Sequence, residues 1–326
     1  MVSPVITESI IKLGTYLEKD VPMMCSVSGG SDSDIVVDLI CKYGFGKDVD
    51  FVFFDTGLEY KATKEHLDDL EEKYGISIRR LKAIKSIPYC CKEYGVPFIS
   101  KHASNMLSRL QKHNFQFEDE DFDTLYKKYP NCKSALRWWC NCGATPRLNI
   151  SWNKYLKEFL IANPPKFKIS DACCTYAKKR VSEKYIKDNG ILISITGVRK
   201  AEGGIRSTTY KSCYEGDARG FDGFRPIFWY KDSDKKEYEN LNDIHHSRCY
   251  TEYGLKRTGC CGCPFVRDLE NELNIIKTYE PNLYKVVMSV FGESYEYTRQ
   301  YREFVRNMKM KKDRISTLDS FFDLEQ

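Results

Sequence analysis

A glycine pair set among serines and a set of 14 cysteines are the residues here whose types and spacing could do chemistry. The run 28–33, SGGSDS, follows the apolar stretch 21–27 and precedes the helix-like DIVVDLICKYG. A strand that feeds two glycines and then a helix turns backbone N–H groups and a positive helix end toward an anion. Ser28, Ser31 and Ser33 add hydroxyl donors, and Gly29, Gly30 and Asp32 complete the loop. No lysine lies in it, so a triphosphate gripped at its tail is not expected; a pyrophosphate leaving group or a phosphate monoester is. On these residues alone, a plain Gly-Gly turn capped by Ser or Asp is the competing reading.

The cysteines cluster as CC at 90–91, CNC at 140–142, CC at 173–174 and CCGC at 260–263. Such clustering points to metal or redox chemistry rather than to a disulfide framework. Cys173, Cys174, Cys260 and Cys263 can supply four thiolates to a 4Fe-4S cluster or to tetrahedral zinc, or stay free as thiols or a redox pair. Cys261 is left as a non-ligand. Cys140 and Cys142 read either as part of a second metal site or as small core thiols, and His245-His246 beside Cys249 as structural or exposed.

These residues need elements to hold them. Apolar residues make up 42% and charged residues 30% of the 326-residue chain, as in an ordinary globular protein. No run is long enough to span a bilayer and the N-terminus lacks a signal-peptide pattern, so a cytoplasmic location without membrane contact is expected. The net charge of +5 permits a nucleic-acid partner without requiring one. Strand-like runs end in SGG, DTG and TGVR, a further strand covers ISIRRLKAI, and helical spacing at Ile35, Val36, Leu39 and Ile40 follows the first. This alternation predicts an α/β fold with a doubly wound, mostly parallel sheet, whose ligands sit beyond the carboxyl ends of the strands. Residues 100–150 look less regular, with QKHNFQFEDEDFD as an exposed acidic excursion. Residues 1–265 are expected to form the nucleotide-binding domain including the cysteines, and 266–326 a C-terminal helical tail.

In this order the motifs resemble a known family. SGGSDS is similar to the PP-loop of the adenine-nucleotide α-hydrolase-like superfamily, and FVFFDTGLEY resembles its phosphoadenosine phosphosulfate (PAPS) reductase branch. The resemblance implies a nucleotide pocket containing Asp55, Thr56 and Gly57, with Asp32 holding Mg²⁺ if the nucleotide is ATP, or else capping its helix. RWWCNCGATPR resembles the family's RWC element, which implies Arg137, with Trp138, near substrate. ITGVRKAEGGIRS resembles its TGxRxxES…R strand end, implying Gly197 in the pocket, Glu202 beside it, and Arg199 and Arg206 as a fork-shaped anion site. CCTYAKKR places Lys178 as a cation for phosphate or sulfate. The Cys pair with the later C-x-x-C resembles the cluster-binding pattern of adenylylsulfate (APS) reductases, which implies a 4Fe-4S cluster on Cys173, Cys174, Cys260 and Cys263.

The resemblance departs at the attacking thiol. Cys263 is the last cysteine, whereas sulfonucleotide reductases use one near the C-terminus, so Cys140, Cys91 or a partner's persulfide would have to substitute. Three functions are therefore carried forward. The first is sulfonucleotide (PAPS or APS) reduction with a thiol electron donor protein. The second is an ATP-using sulfurtransferase, fed by a persulfide donor, that adenylates and thiolates a nucleic acid. The third is a non-catalytic nucleotide sensor.

Overall fold

The computed structural model describes residues 2–44, 48–203, 210–216 and 220–322. Among the described residues six strands form one sheet: β1 (Met23–Ser26), β2 (Val49–Asp55), β3 (Ile78–Lys82), β4 (Ile193–Thr196), β5 (Tyr214–Glu215) and β6 (Asp222–Phe224). Their order is β3-β2-β1-β4-β6-β5, parallel throughout except for the edge pairing of β5 with β6. The expected α/β, mostly parallel, doubly wound sheet is therefore present, and its four longer strands are the four runs expected from sequence.

The chain reverses its winding at β1, which pairs with β2 on one side and β4 on the other. A crevice opens at such a switch point, beyond the carboxyl ends of the two central strands. Ser26 ends β1 in register with Thr196 at the end of β4, so the SGG and TGVR turns leave the sheet side by side. Three helices matter for that edge: α1 (Pro4–Leu17), α2 (Ser31–Tyr43) and α3 (Lys61–Tyr74). α2 buries Ile35, Val36, Val37, Leu39 and Ile40 against the sheet and stops at Gly44, as its spacing predicts.

By internal contacts the chain divides into two units, each made of several stretches of sequence. One comprises Met1–Ile87, Cys174–Cys261 and Asn274–Leu283; the other comprises Pro88–Cys173, Gly262–Leu273 and Tyr284–Gln326. The first unit contains the whole sheet, with a core that includes Leu13, Cys25, Val36, Phe51, Leu67, Ile195 and Phe224. The second is helical, built from Lys101–Lys112, Phe122–Lys128, Lys133–Trp139, Leu156–Ala162 and most of the helix Pro281–Phe322.

Residues 100–150 are more regular than expected, and within the acidic run 111–123 the carboxylates Asp119, Glu120, Asp121 and Asp123 are exposed while two rings are not. Phe115 and Phe117, inside the acidic run, are buried and pack edge-on against Trp139 at ring-centroid distances of 5.2 and 5.8 Å. Trp139 Nε1 donates to Glu118 O at 2.8 Å, which ties the acidic run to that core. Two aromatic rings outweigh their charged neighbours because only the rings need leave water, while the carboxylates stay outside.

Candidate phosphate-binding site

The loop after β1 is a cradle closed by its own hydroxyls. Gly29 adopts a φ of +64°, a backbone conformation that other residues rarely tolerate, and a Cβ there would stand 2.7 Å from Thr63 Cγ2. Gly30, rather than Asp32, is the residue that precedes α2. Ser33 Oγ donates to Gly30 O at 2.7 Å and accepts from Ser28 N and Gly30 N, both at 3.2 Å. Buried Ser33 thus braces the turn, while half-buried Ser31 holds the first position of α2.

Gly197 brings the end of β4 onto that turn. A Cβ on it would meet Asp32 O at 2.7 Å and Ser33 N at 3.0 Å, both backbone atoms that cannot swing aside. Arg199, two residues on, is buried; its Nε donates to Asp32 Oδ1 at 2.9 Å and its Nη1 to Asp232 Oδ1 at 2.8 Å. Asp32 was expected as a Mg²⁺ ligand or helix cap. Its Oδ1 accepts from Arg199 and also from Lys235 Nζ, at 2.7 Å.

Two further segments complete the site, and neither was anticipated. Lys235, on the helix Asp232–Asn242, reaches both Asp32 and Ser31 Oγ. Tyr250 places its hydroxyl where Ser31 N and Thr258 N both donate to it, each at 3.2 Å. Two backbone N–H groups converging on one oxygen is anion-binding geometry, here filled by a phenol. No short motif announces these contacts, because the partners lie some two hundred residues from the loop in sequence.

Beneath the site α2 carries two buried carboxylates. Asp38 accepts from Tyr74 and Tyr238 hydroxyls at 2.8 and 2.7 Å and pairs with Lys42 at 2.9 Å. Asp34 accepts from His246 Nδ1 at 2.8 Å, and His66 Nε2 stands 3.1 Å away. Burial pushes Asp34 toward the neutral acid, but the two imidazoles prevail and hold its carboxyl below the usual range. Burial likewise opposes charge on His246, yet Asp34 and Glu239 together raise it to about 9. His246 is thus structural, and His245 exposed, as expected.

The DTG turn after β2 forms a second polar group. Glu59 is buried and receives Thr56 N at 2.9 Å and Gly57 N at 3.0 Å. Burial, then its bond to Asp55, raises the Glu59 pKa. Burial of Asp55 is outweighed by Glu59, Gly57 N–H and two lysines, which hold Asp55 low. Thr56 Oγ1 lies 3.6 Å from Cys260 Sγ, and Cys261 N donates to Leu58 O at 2.7 Å, so Cys260 and Cys261 lie against this turn.

The remaining expected residues fall as follows. Lys178 is exposed on the first unit, and Glu202 is exposed after β4. Arg206 lies outside the described residues. Arg137 is exposed in the second unit, whereas Trp138 is 2% exposed and is a core side chain there. Cys174 and Cys260 belong to the first unit and Cys173 and Cys263 to the second. Among the described residues no group of three or more His, Cys, Asp or Glu is gathered so as to hold a metal ion. Cys140 is half-buried and packs against the core of the second unit, whereas Cys142 is exposed. Among the described residues no helix is long and apolar enough to cross a membrane.

The glycine-serine loop at the β1–β4 switch point and the aspartate-bearing DTG turn on the next strand stand at strand ends, where the motifs placed them. Residues 22–130 match the model of the phosphoadenosine phosphosulfate reductase domain family. An uncharacterised protein of Methanocaldococcus jannaschii is 43% identical over 150 residues, covering 46% of this chain and 30% of its own length. Adenosine 5'-phosphosulfate reductase 2 of Bacillus subtilis is 31% identical over 99 residues, covering 30% of this chain and 39% of its own. The chain thus spans well under half the length of these curated relatives. Among solved structures, PAPS reductase of Candida auris in its phosphate complex aligns with 80% of this chain and 96% of its own, at 15% identity and a TM-score of 0.42. The U34-tRNA thiolase NcsA of Methanococcus maripaludis with its 4Fe-4S cluster covers 93% of this chain and 80% of its own, at 13% identity and a TM-score of 0.39.

Proposed function

We propose that this chain is an enzyme of sulfur metabolism that binds an adenylyl nucleotide at the α2 N-terminus and reductively cleaves a sulfonucleotide, PAPS or APS. The supporting observation is the cradle itself: Ser28–Ser33 closed by Gly197 and backed by buried Arg199. In that reaction a thiolate attacks the sulfate sulfur and the nucleotide leaves with the bonding pair of the S–O bond. A second thiol then releases sulfite and forms a disulfide, so two thiols supply the two electrons. The cradle's part is to hold the departing phosphate as its negative charge grows, which donors fixed in advance do at least cost.

Lys235 beside Ser31 favours a second reading, an ATP-using sulfurtransferase, because an ammonium at the loop suits a phosphate chain. There the substrate oxygen attacks the α-phosphorus, pyrophosphate leaves, and a persulfide sulfur displaces AMP.

A 4Fe-4S cluster on Cys173, Cys174, Cys260 and Cys263 belongs to the proposal on donor chemistry, since four thiols suit it. The described residues gather no such ligand group, and the reaction is derived from the nucleotide site alone. Anaerobic reconstitution with iron and sulfide tests the cluster: Cys174→Ala and Cys263→Ala should each lose the brown colour and bound iron. Parallel assays on the same protein separate the reactions. Thiol-dependent sulfite release from APS or PAPS supports reduction. Pyrophosphate release from ATP stimulated by nucleic acid supports thiolation, and tight nucleotide binding without either points to a sensor.

A further inference from the structure

The loop contains no lysine, yet an ammonium stands against it. Lys235 Nζ hydrogen-bonds Ser31 Oγ and Asp32 Oδ1, the side chains of the first two residues of α2. Its own helix holds it there through several independent ties. Tyr238 OH donates to buried Asp38 on α2 at 2.7 Å, Asp232 pairs with Arg199 at 2.8 Å, and Asp234 accepts from Ser3 Oγ at 2.8 Å. The Lys235 side chain is only 16% exposed, so its ammonium is confined to the loop rather than sweeping through solvent.

We infer that Lys235 is the cation that grips the anionic group beyond the nucleotide's α-phosphate, doing from a separate helix what a loop lysine does elsewhere. This rests on the proposed nucleotide site. That group is a phosphate in ATP and a sulfate in a sulfonucleotide, and one ammonium serves either. Asp32 is its resting partner. When the anion arrives, Lys235 exchanges one oxygen of Asp32 for an oxygen of the ligand, and Arg199 keeps Asp32 neutralised at 2.9 Å. The Ser31 hydroxyl, already bonded to Lys235, becomes a second donor to the same ligand oxygen.

Titration calorimetry on the full chain tests this with four probes: pyrophosphate, ATP, APS and AMP. Lys235→Ala should weaken pyrophosphate and either ATP or APS about tenfold or more, the usual scale for a charged hydrogen bond, and AMP less than about threefold. Whether ATP or APS suffers the loss identifies the source of the group. Lys235→Arg should recover part of the affinity, and exposed Lys236→Ala should bind like the parent. Thermal unfolding confirms that Lys235→Ala is folded, and Lys235→Gln, which keeps the stem, replaces it if it is not. Equal loss on all four probes, or none, overturns the role of Lys235. Failure of the unmutated chain to bind any probe overturns the nucleotide reading itself, and the inference with it.

Discussion

The clearest quantitative consequence of the structure concerns His246, whose imidazole joins Asp34 to Glu239 at 2.8 and 2.9 Å. Its pKa rises from an ordinary 6.5 to about 9, against the pull of burial, because two carboxylates flank it. At 1.36 kcal/mol per unit, that difference corresponds to about 3.4 kcal/mol as a ceiling. The ring and Glu239 keep 16% and 19% exposure, so water screens the interaction and about 1–2 kcal/mol is the realistic share. The folded-state pKa is raised, so the contribution is complete below about pH 6.5 and is lost as pH climbs toward 9. Asp34 sets the opposite edge: its pKa is depressed, so its contribution disappears as acid protonates it below the carboxylate range. Urea unfolding of the parent and of His246→Gln at half-unit steps from pH 6 to 9.5 measures this. The parent should lose about 1–2 kcal/mol more than the variant over that span. Parallel curves would show that His246 is uncharged or unpaired in the folded chain and would refute the reasoning.

Three other outcomes follow from single contacts. Gly197→Ala drives a methyl to 2.7 Å from Asp32 O, so it should cost about 1–3 kcal/mol in a melt and weaken pyrophosphate binding by displacing the first turn of α2. Tyr250→Phe frees Ser31 N and Thr258 N, so the protein should lose about 1 kcal/mol of stability while holding pyrophosphate at least as tightly. Weaker binding in that variant would make the Tyr250 hydroxyl a ligand contact rather than a stand-in for one. Trp139→Ala should destabilise the helical unit by about 3–5 kcal/mol, seen as early proteolysis within 88–173, because that ring is fully buried against Phe115 and Phe117.

The central strands and the loop were legible because their signals are local. A short apolar run, two glycines and a helical repeat sit within about twenty residues of one another, and one of those glycines takes the positive φ that makes the turn. Gly197 was legible only as part of a motif; the reason for it, a 2.7 Å approach to Asp32 O, needs both segments in place. Lys235, Tyr250 and Thr258 carried no signal at all. Each reaches the loop from a distant helix or turn, and a lysine in DSDKKEYENLND reads as a solvated face. The second unit escaped notice for a different reason: four carboxylates in a short stretch masked two phenylalanines whose burial decides the local structure. The chain crosses between its two compact units several times, and no single stretch of sequence announces such crossings.

A loop lysine and a lysine delivered from elsewhere are not equivalent devices. The first is fixed to the helix that binds the phosphate, so cradle and cation form together. Here the cradle is complete within Ser28–Ser33, braced by Ser33 Oγ at 2.7 Å from Gly30 O, and needs no other helix. The cation depends on the helix Asp232–Asn242, which grips α2 through Asp38 and meets Arg199 through Asp232. Arg199 in turn leaves β4 immediately after Gly197, which touches the same turn. Asp32 is therefore where three separately placed segments meet: α2, the β4 strand end, and the lysine helix. A carboxylate at the positive end of a helix is already favourable, so Asp32 can release one of its two cations to an incoming anion and keep the other. Two cations on one carboxylate oxygen, redundant in the resting protein, are what that exchange requires.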